Sequence, residues 1–356
     1  MSQNKMYIAG IGMFTPVGAD SVMTAAAVNA GISAYKDSGY FTKTKEPIKM
    51  AQVPQDALPE LSDELKLCGM YGRWEQHLVQ LAGTAIQEAL SEYSGEPLPL
   101  ILAGPEHYQQ WPHQLPDNFL QNVVTQSGAP IDVTHSRTVQ IGRAGTIEAL
   151  QLAERFLFEA DKEFVLVGGV DSYQRPELFR GLLEYGRLAI PGNKDGFVPG
   201  EGAAFILVAK DKTNALTLNE HSAFITAAST WEEAAHLYSA QANKGEGLDK
   251  AVKASLKNYT GPNIRKIYSS INGESYWSKE LGVMLSRNNT RMVEDASIEH
   301  PADCFGDLGA ASGAALIGLA ALDLLENNAY TSHLTCASSD HQHRAAALLS
   351  VDMQAA

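Results

Sequence analysis

The sequence predicts a layered α/β protein with two similar halves. Three observations carry this. Short apolar, strand-like runs alternate with helix-like runs, glycine turns close several of the strands, and the pattern restarts near residue 215 without a literal repeat. Alternation of this kind argues for helices packed on sheets.

In order, MYIAGIGMF (6–14) is a strand and SVMTAAAVNAGI (21–32) a helix. PLPLILAG (97–104) is a strand and PDNFLQNVVTQSG (116–128) a helix. PIDVTHSRTV (130–139) leads into a helix over 144–159. EFVLVGGVDSY (163–173) and GFVPGEGAAFILVAK (196–210) are strands that carry glycine turns. After Asn214 come the strands SAFITAAST and IRKIYSSING, the helices GEGLDKAVKASLKNY and 308–326, and a terminal hairpin of SHLTCASS and HRAAALLSVDM. The expected halves are residues 1–214 and 215–356. Polar, proline-bearing stretches at 36–70 and 104–117 read as surface excursions. In the second, Tyr108, Trp111 and His113 are expected to cap the surface rather than face a partner.

Composition narrows the function. The 356 residues are 45% hydrophobic, which supports an ordered core. A formal charge of −14 repels phosphate backbones and disfavours nucleic acid. Cys68, Cys304 and Cys336 are scattered and odd in number, which suits a reducing, cytoplasmic setting. The most apolar run, ASGAALIGLAALDLL (311–325), is short for a membrane span and fits a buried helix. The glycines of GIG and GG belong to no G-x-G-x-x-G after a strand, so no nucleotide cofactor is expected.

Five segments, in order, resemble the β-ketoacyl synthases of the thiolase-like superfamily. They are IAGIGMFTPVG, the helix ending NAGISAY, VLVGGVDSY, DGFVPGEGAAFILV (195–208) and FGDLGAASGAALIGLAALDLL (305–325). The resemblance implies a five-layered αβαβα fold, one sheet per half, usually as a homodimer or pseudo-dimer. It also implies that Asp195 and Glu201 are architectural.

The same resemblance places the family's catalytic positions. A cysteine nucleophile belongs at the start of the helix after the third strand, where the helix N-terminus favours the thiolate. RAGTIEALQLA puts Arg143 there, or Gly142 with a shift of one. The first histidine falls on Asn272, ahead of Gly273 and Glu274, and the second on Gly306 or Asp307. The upstream lysine is replaced by the stretch Pro301, Ala302, Asp303, and the glycine-phenylalanine loop by CASSDHQHRAA. Arginine only donates, and asparagine cannot shuttle a proton. Arg143 is expected to plug the old pocket in a salt bridge, ahead of the alternative that it binds an anion.

Two classes of function follow. One is a catalytically inactive synthase-like subunit. It would be like a chain-length factor paired with a ketosynthase and acyl carrier protein, or like an adaptor encoded beside type VI secretion effectors. The other is an acyl-handling enzyme with a relocated site built on Cys336, with His341 or His343; Cys304 is a weaker candidate. A metal site from Asp340, His341 and His343 lacks a fourth ligand and is not expected.

Overall fold

The computed structural model describes residues 4–67, 72–111, 115–327 and 330–353. The first half runs β1 (Met6–Phe14), α1 (Ser21–Asn29), β2 (Tyr35–Phe41), β3 (Pro47–Ala51), α2 (Asp63–Leu67) and α3 (Arg73–Ala89). It continues β4 (Leu100–Ala103), α4 (Phe119–Ser127), β5 (Arg137–Val139), α5 (Gly145–Phe158), β6 (Phe164–Ser172), α6 (Pro176–Glu184) and β7 (Glu201–Ala209). The second half runs β8 (Thr217–Leu218), β9 (His221–Glu232), α7 (Glu246–Leu256), β10 (Ile264–Ser269), α8 (Ser275–Asn288) and β11 (Met292–Glu299). It ends α9 (Ala302–Phe305), α10 (Ser312–Glu326), β12 (Ser332–Ser338) and β13 (His343–Met353).

The main strands form one path, β11-β10-β12-β13-β9-β1-β7-β6-β4-β5. Counting the five strands of each half in chain order, both halves read 3-2-4-5-1 from outer edge to centre. They join at antiparallel β1 and β9 through Met6↔Ile225 and Tyr7↔Phe224. The molecule is therefore two copies of one topology about an approximate two-fold axis.

Side-chain alternation turns this path into five layers. Along β7, Ala203, Phe205 and Leu207 pack with α3 and α4 residues such as Leu78 and Val123. The intervening Ala204, Ile206 and Val208 pack with Leu150 of α5 and Ile317 of α10. Along β12 and β13, Leu334, Cys336, Ala346 and Leu348 face Leu248 of α7 and Met284 of α8. Ala337, Ala345 and Ala347 face the middle layer. A period of two on each strand gives every sheet two apolar faces. The run at 311–325 is apolar all round because α10 lies between the sheets, with Leu316, Ile317 and Leu319 at most 4% exposed.

Both stretches read as surface excursions depart from that reading. Residues 36–70 contain the β2–β3 hairpin, whose Ile48 and Met50 are buried. The loop after β4 turns inward, so that Glu106 and Tyr108 are buried and Tyr108 does not cap the surface. His113 and Cys68 lie outside the described residues. The helices α3, α6 and α8 and the edge strand β11 are further elements that the alternation pattern did not single out.

Candidate functional site at the junction of the middle-layer helices

The first turns of α5 and α10 meet in the middle layer. Each is preceded by a tight turn, Gly142–Ala144 and Gly309–Ala311. Gly309 has φ +52°, and an added Cβ would lie 2.0 Å from an Asp171 carboxylate oxygen, so the position suits glycine alone. Its N–H donates to Asp307 Oδ1 at 2.8 Å. Asp307 thus caps the turn that opens α10, where a negative charge is favoured.

Arg143 faces this carboxylate. Its Nε donates to Asp307 Oδ2 at 2.8 Å and Oδ1 at 3.1 Å, and Nη2 lies 2.7 Å from Oδ2. Its Nη1 donates to Asp340 Oδ1 at 2.9 Å and to the Ser338 carbonyl at 3.1 Å. Asn272 Nδ2 donates to Asp307 Oδ2 at 2.8 Å and to Glu274 Oε2 at 3.2 Å. Glu274 takes a two-point fork from Arg187, Nε to Oε1 at 2.8 Å and Nη2 to Oε2 at 2.7 Å. Arg187 closes the circuit on Asp340 through Nη1 and Nη2.

The six side chains form a closed ring: Arg143, Asp307, Asn272, Glu274, Arg187, Asp340. All six are buried, Arg143 to 2% exposure. Two guanidiniums face three carboxylates, and each charge has at least one opposite neighbour, as burial requires. Burial works to raise the Asp340 pKa, but Arg187 and Arg143 hold it well below the usual carboxylate range. Burial lowers the Arg143 pKa, and Asp307 and Asp340 more than offset it. Tyr108 and Tyr238 donate to Asp340 Oδ2 at 2.9 and 3.3 Å. Burial pushes both phenols up, reinforced by Asp340.

Glu106 anchors the loop that carries Asp340. It accepts the Asp340 and His341 backbone N–H groups at 2.9 and 2.8 Å, and its Oε1 lies 2.8 Å from His341 Nδ1. That bond to Glu106 raises the His341 pKa. Ser339 Oγ accepts from Ala144 N at 3.0 Å, tying the loop to the start of α5.

Of the residues singled out from sequence, Arg143, Asn272 and Asp307 come together. Gly306 contributes backbone only; at φ +73°, an added Cβ would meet the Pro199 carbonyl oxygen at 2.8 Å. The relocated thiol site does not assemble. Cys336 is 1% exposed on the outer face of β12, in the apolar cluster with α7 and α8. Burial pushes its thiol up, and Glu280 adds to this. His341 bonds to Glu106, and His343 Nδ1 lies 3.1 Å from Glu148 Oε2. Burial likewise pushes the Cys304 thiol up. Asp340, His341 and His343 serve separate partners, and no cluster of three metal-ligating side chains occurs among the described residues.

Glu201 is fully buried, accepting from Val53 N at 2.9 Å, Ser172 Oγ at 2.7 Å and Gln174 Nε2 at 2.8 Å. Asp195 accepts from Ser275 N at 2.6 Å and Oγ at 2.7 Å at the start of α8. Both hold loops in place. Arg187, Glu106 and Tyr238 had no role in the sequence reading, and Tyr108 was expected to cap the surface instead. The cavity beside Asp307, lined by Ser269, Phe305 and Leu316, encloses about 10 Å³. That is room for about one water molecule. The ring is thus an ion-paired polar plug where the two middle helices meet, with Arg143 Nη2 close to Asp307 but outside hydrogen-bonding geometry.

Comparison with solved structures gives this architecture a counterpart. The ishigamide ketosynthase/chain length factor superposes with TM-score 0.76 over 98% of this chain and 99% of its own, at 14% identity. The chain has the ketosynthase fold. The ketosynthase from module 6 of the Bacillus subtilis 168 bacillaene synthase matches with TM-score 0.77 over 97% of this chain and 72% of its own, at 13% identity. The ketosynthase ApeO in complex with its chain length factor ApeC, from Xenorhabdus doucetiae, matches with TM-score 0.73 over 98% of each chain, at 14% identity. No protein-family profile matches the chain, and no curated protein does. At these identities the ketosynthase fold is shared while the side chains have diverged, so function rests on the ring itself.

Proposed function

We propose that this chain is a catalytically silent ketosynthase-fold subunit that acts as a binding partner, with residues 1–214 and 215–356 as its halves. The closed ring carries the reading. Guanidinium and carboxylate groups fill the meeting point of the middle helices, and the adjoining space holds about 10 Å³. Acyl transfer needs a nucleophile, a group that moves its proton and room for a thioester. Arg143, Asn272 and Asp307 bond to one another instead. The buried, apolar setting of Cys336 argues against the relocated acyl-handling site.

The partner is a second copy or a ketosynthase-like subunit. Two neighbours in structure support this: one is a ketosynthase with its chain length factor, the other a ketosynthase with an acyl-carrier protein. We place the protein in the cytoplasm, where Cys304 and Cys336 stay free thiols.

The test is intact-mass spectrometry after incubation with acyl-CoA and with acylated carrier protein. Unchanged mass is expected. A stoichiometric acyl adduct on any side chain overturns the silent reading.

A further inference from the structure

Away from the ring, a groove of about 690 Å³ opens beside β1, the end of α3 and the segment that joins the halves. Leu322, in the last turns of α10, borders it, about 15 Å along the helix from the first turn. Its floor is apolar, with Ile11, Ala89 and Leu207 buried beneath it, and Val22 and Leu216 stand exposed on its walls. A concave site of this size, largely apolar with a few polar groups, suits a small ligand.

The polar group that decides the ligand is Glu88, near the end of α3. It is half-buried and borders the groove. Its Oε1 accepts from Ser21 N at 2.8 Å and Ser21 Oγ at 2.6 Å, and its Oε2 accepts from Met13 N at 2.8 Å. These bonds fix the carboxylate between β1 and α1 and leave Oε2 capacity for a further donor. All of these donors are neutral. Among the described residues no cation pairs with Glu88, and no Lys, Arg or His borders the groove. The charge that acts on Glu88 is Asp20, another carboxylate, and Glu92 stands on the exposed wall. Burial raises the Glu88 pKa, the bonds from Ser21 and Met13 act against it, and Asp20 raises it further. A carboxylate drawn out of water is normally paired.

The strand under the groove is irregular at the same place. β9 stays beside β1 only at Met6 and Tyr7. β1 then bulges: Ile8 pairs with Val208 and Gly10 with Leu207, so Ala9 stands outside the ladder. Ala9 and Gly10 both border the groove, which adds polar backbone to its lining. A primary ammonium carries three donors and one positive charge. Glu88 offers it a charge-assisted bond, and the apolar floor takes the body attached to it. An anion would meet Glu88, Glu92 and Asp20 with no cation to offset them. We propose that this groove binds a small molecule with a primary ammonium on an apolar body, its nitrogen seated on Glu88. The site is separate from the ring and does not depend on the chain being silent.

Calorimetry and saturation-transfer NMR at pH 7 test the site with matched probes: phenethylammonium, neutral phenethyl alcohol and anionic hydrocinnamate. Saturable binding of the ammonium is expected, about tenfold tighter than the alcohol, as one charge-assisted bond supplies. Hydrocinnamate is expected not to bind. Glu88→Gln is expected to weaken the ammonium to the level of the alcohol. Ser94→Lys adds a cation at an exposed position on the wall and is expected to weaken the ammonium about threefold. That variant and the probe series keep the test open if Glu88→Gln does not fold. Absence of ammonium binding to the wild-type chain, equal binding of the alcohol or the carboxylate, equal ammonium binding in folded Glu88→Gln, or unchanged or tighter binding in Ser94→Lys overturns the proposal.

Discussion

Arg143 and Asp307 join the first turns of the two central helices, with Nε 2.8 Å and Nη2 2.7 Å from the same carboxylate oxygen. They are 164 residues apart in sequence and belong to opposite halves. Arg143 alone would oppose the dipole of α5, and Asp307 alone favours that of α10. Paired, they turn two helix ends into one contact between the halves.

Breaking one side of that contact leaves a buried charge unmatched. Asp307→Ala is expected to cost about 3–5 kcal/mol in urea unfolding, the range for a broken buried ion pair. Arg143→Ala together with Asp307→Ala is expected to cost less than the sum of the single changes, with a coupling of about 0.5–3 kcal/mol. Additive losses would mean that the two side chains stabilise the fold independently, and the plug would not be a unit.

The ring also sets a dependence on acid. The folded Asp340 pKa lies below its unfolded value because Arg187 and Arg143 face it. A depressed carboxylate contributes stability that is fully present above the unfolded pKa, about 3.9. That contribution is lost as pH falls from there through the folded value. Thermal melts between pH 7 and pH 2.5 are expected to show a steep fall in Tm below about pH 4. Asp340→Asn is expected to start lower at pH 7 and to fall less. Parallel curves for the two proteins would show that Asp340 is not the group that responds.

Much of this fold was legible because period-two strands and an all-apolar helix are local signals. The 305–325 run marked α10, and DGFVPGEGAAFILV marked the approach to β7 and its core strand. Arg143 and its acidic partnership could also be anticipated, since a guanidinium at a buried helix start needs an anion. Arg187, Glu106 and Tyr108 could not. Tyr108 meets Asp340 across 232 positions, and Glu106 meets the Asp340 N–H across 234. A polar loop reads as surface until the fold shows which polar groups await it inside. Even so, a weak signal exists: Glu106 and Tyr108 follow closely after β4, at the same end of the sheet as the turn into α5. The β2–β3 hairpin was missed for a different reason. Its buried residues, Ile48, Met50 and Ala51, are set among lysines and prolines that dominate the local average.

Cys336 separates the two functional classes raised by the sequence. On β12 its neighbour Ala337 faces the middle layer, so the pleat turns the Cys336 side chain outward to α7 and α8. There, burial raises the thiol pKa and Glu280 opposes the thiolate further. Only the thiolate attacks an electrophile. In the native protein at pH 8, iodoacetamide is therefore expected to leave Cys336 unmodified, read by peptide mapping. Denaturant that unfolds the chain is expected to expose it to full labelling. Labelling of native Cys336 at the rate of a free solvent thiol would place it within reach of acyl donors and restore the enzyme reading.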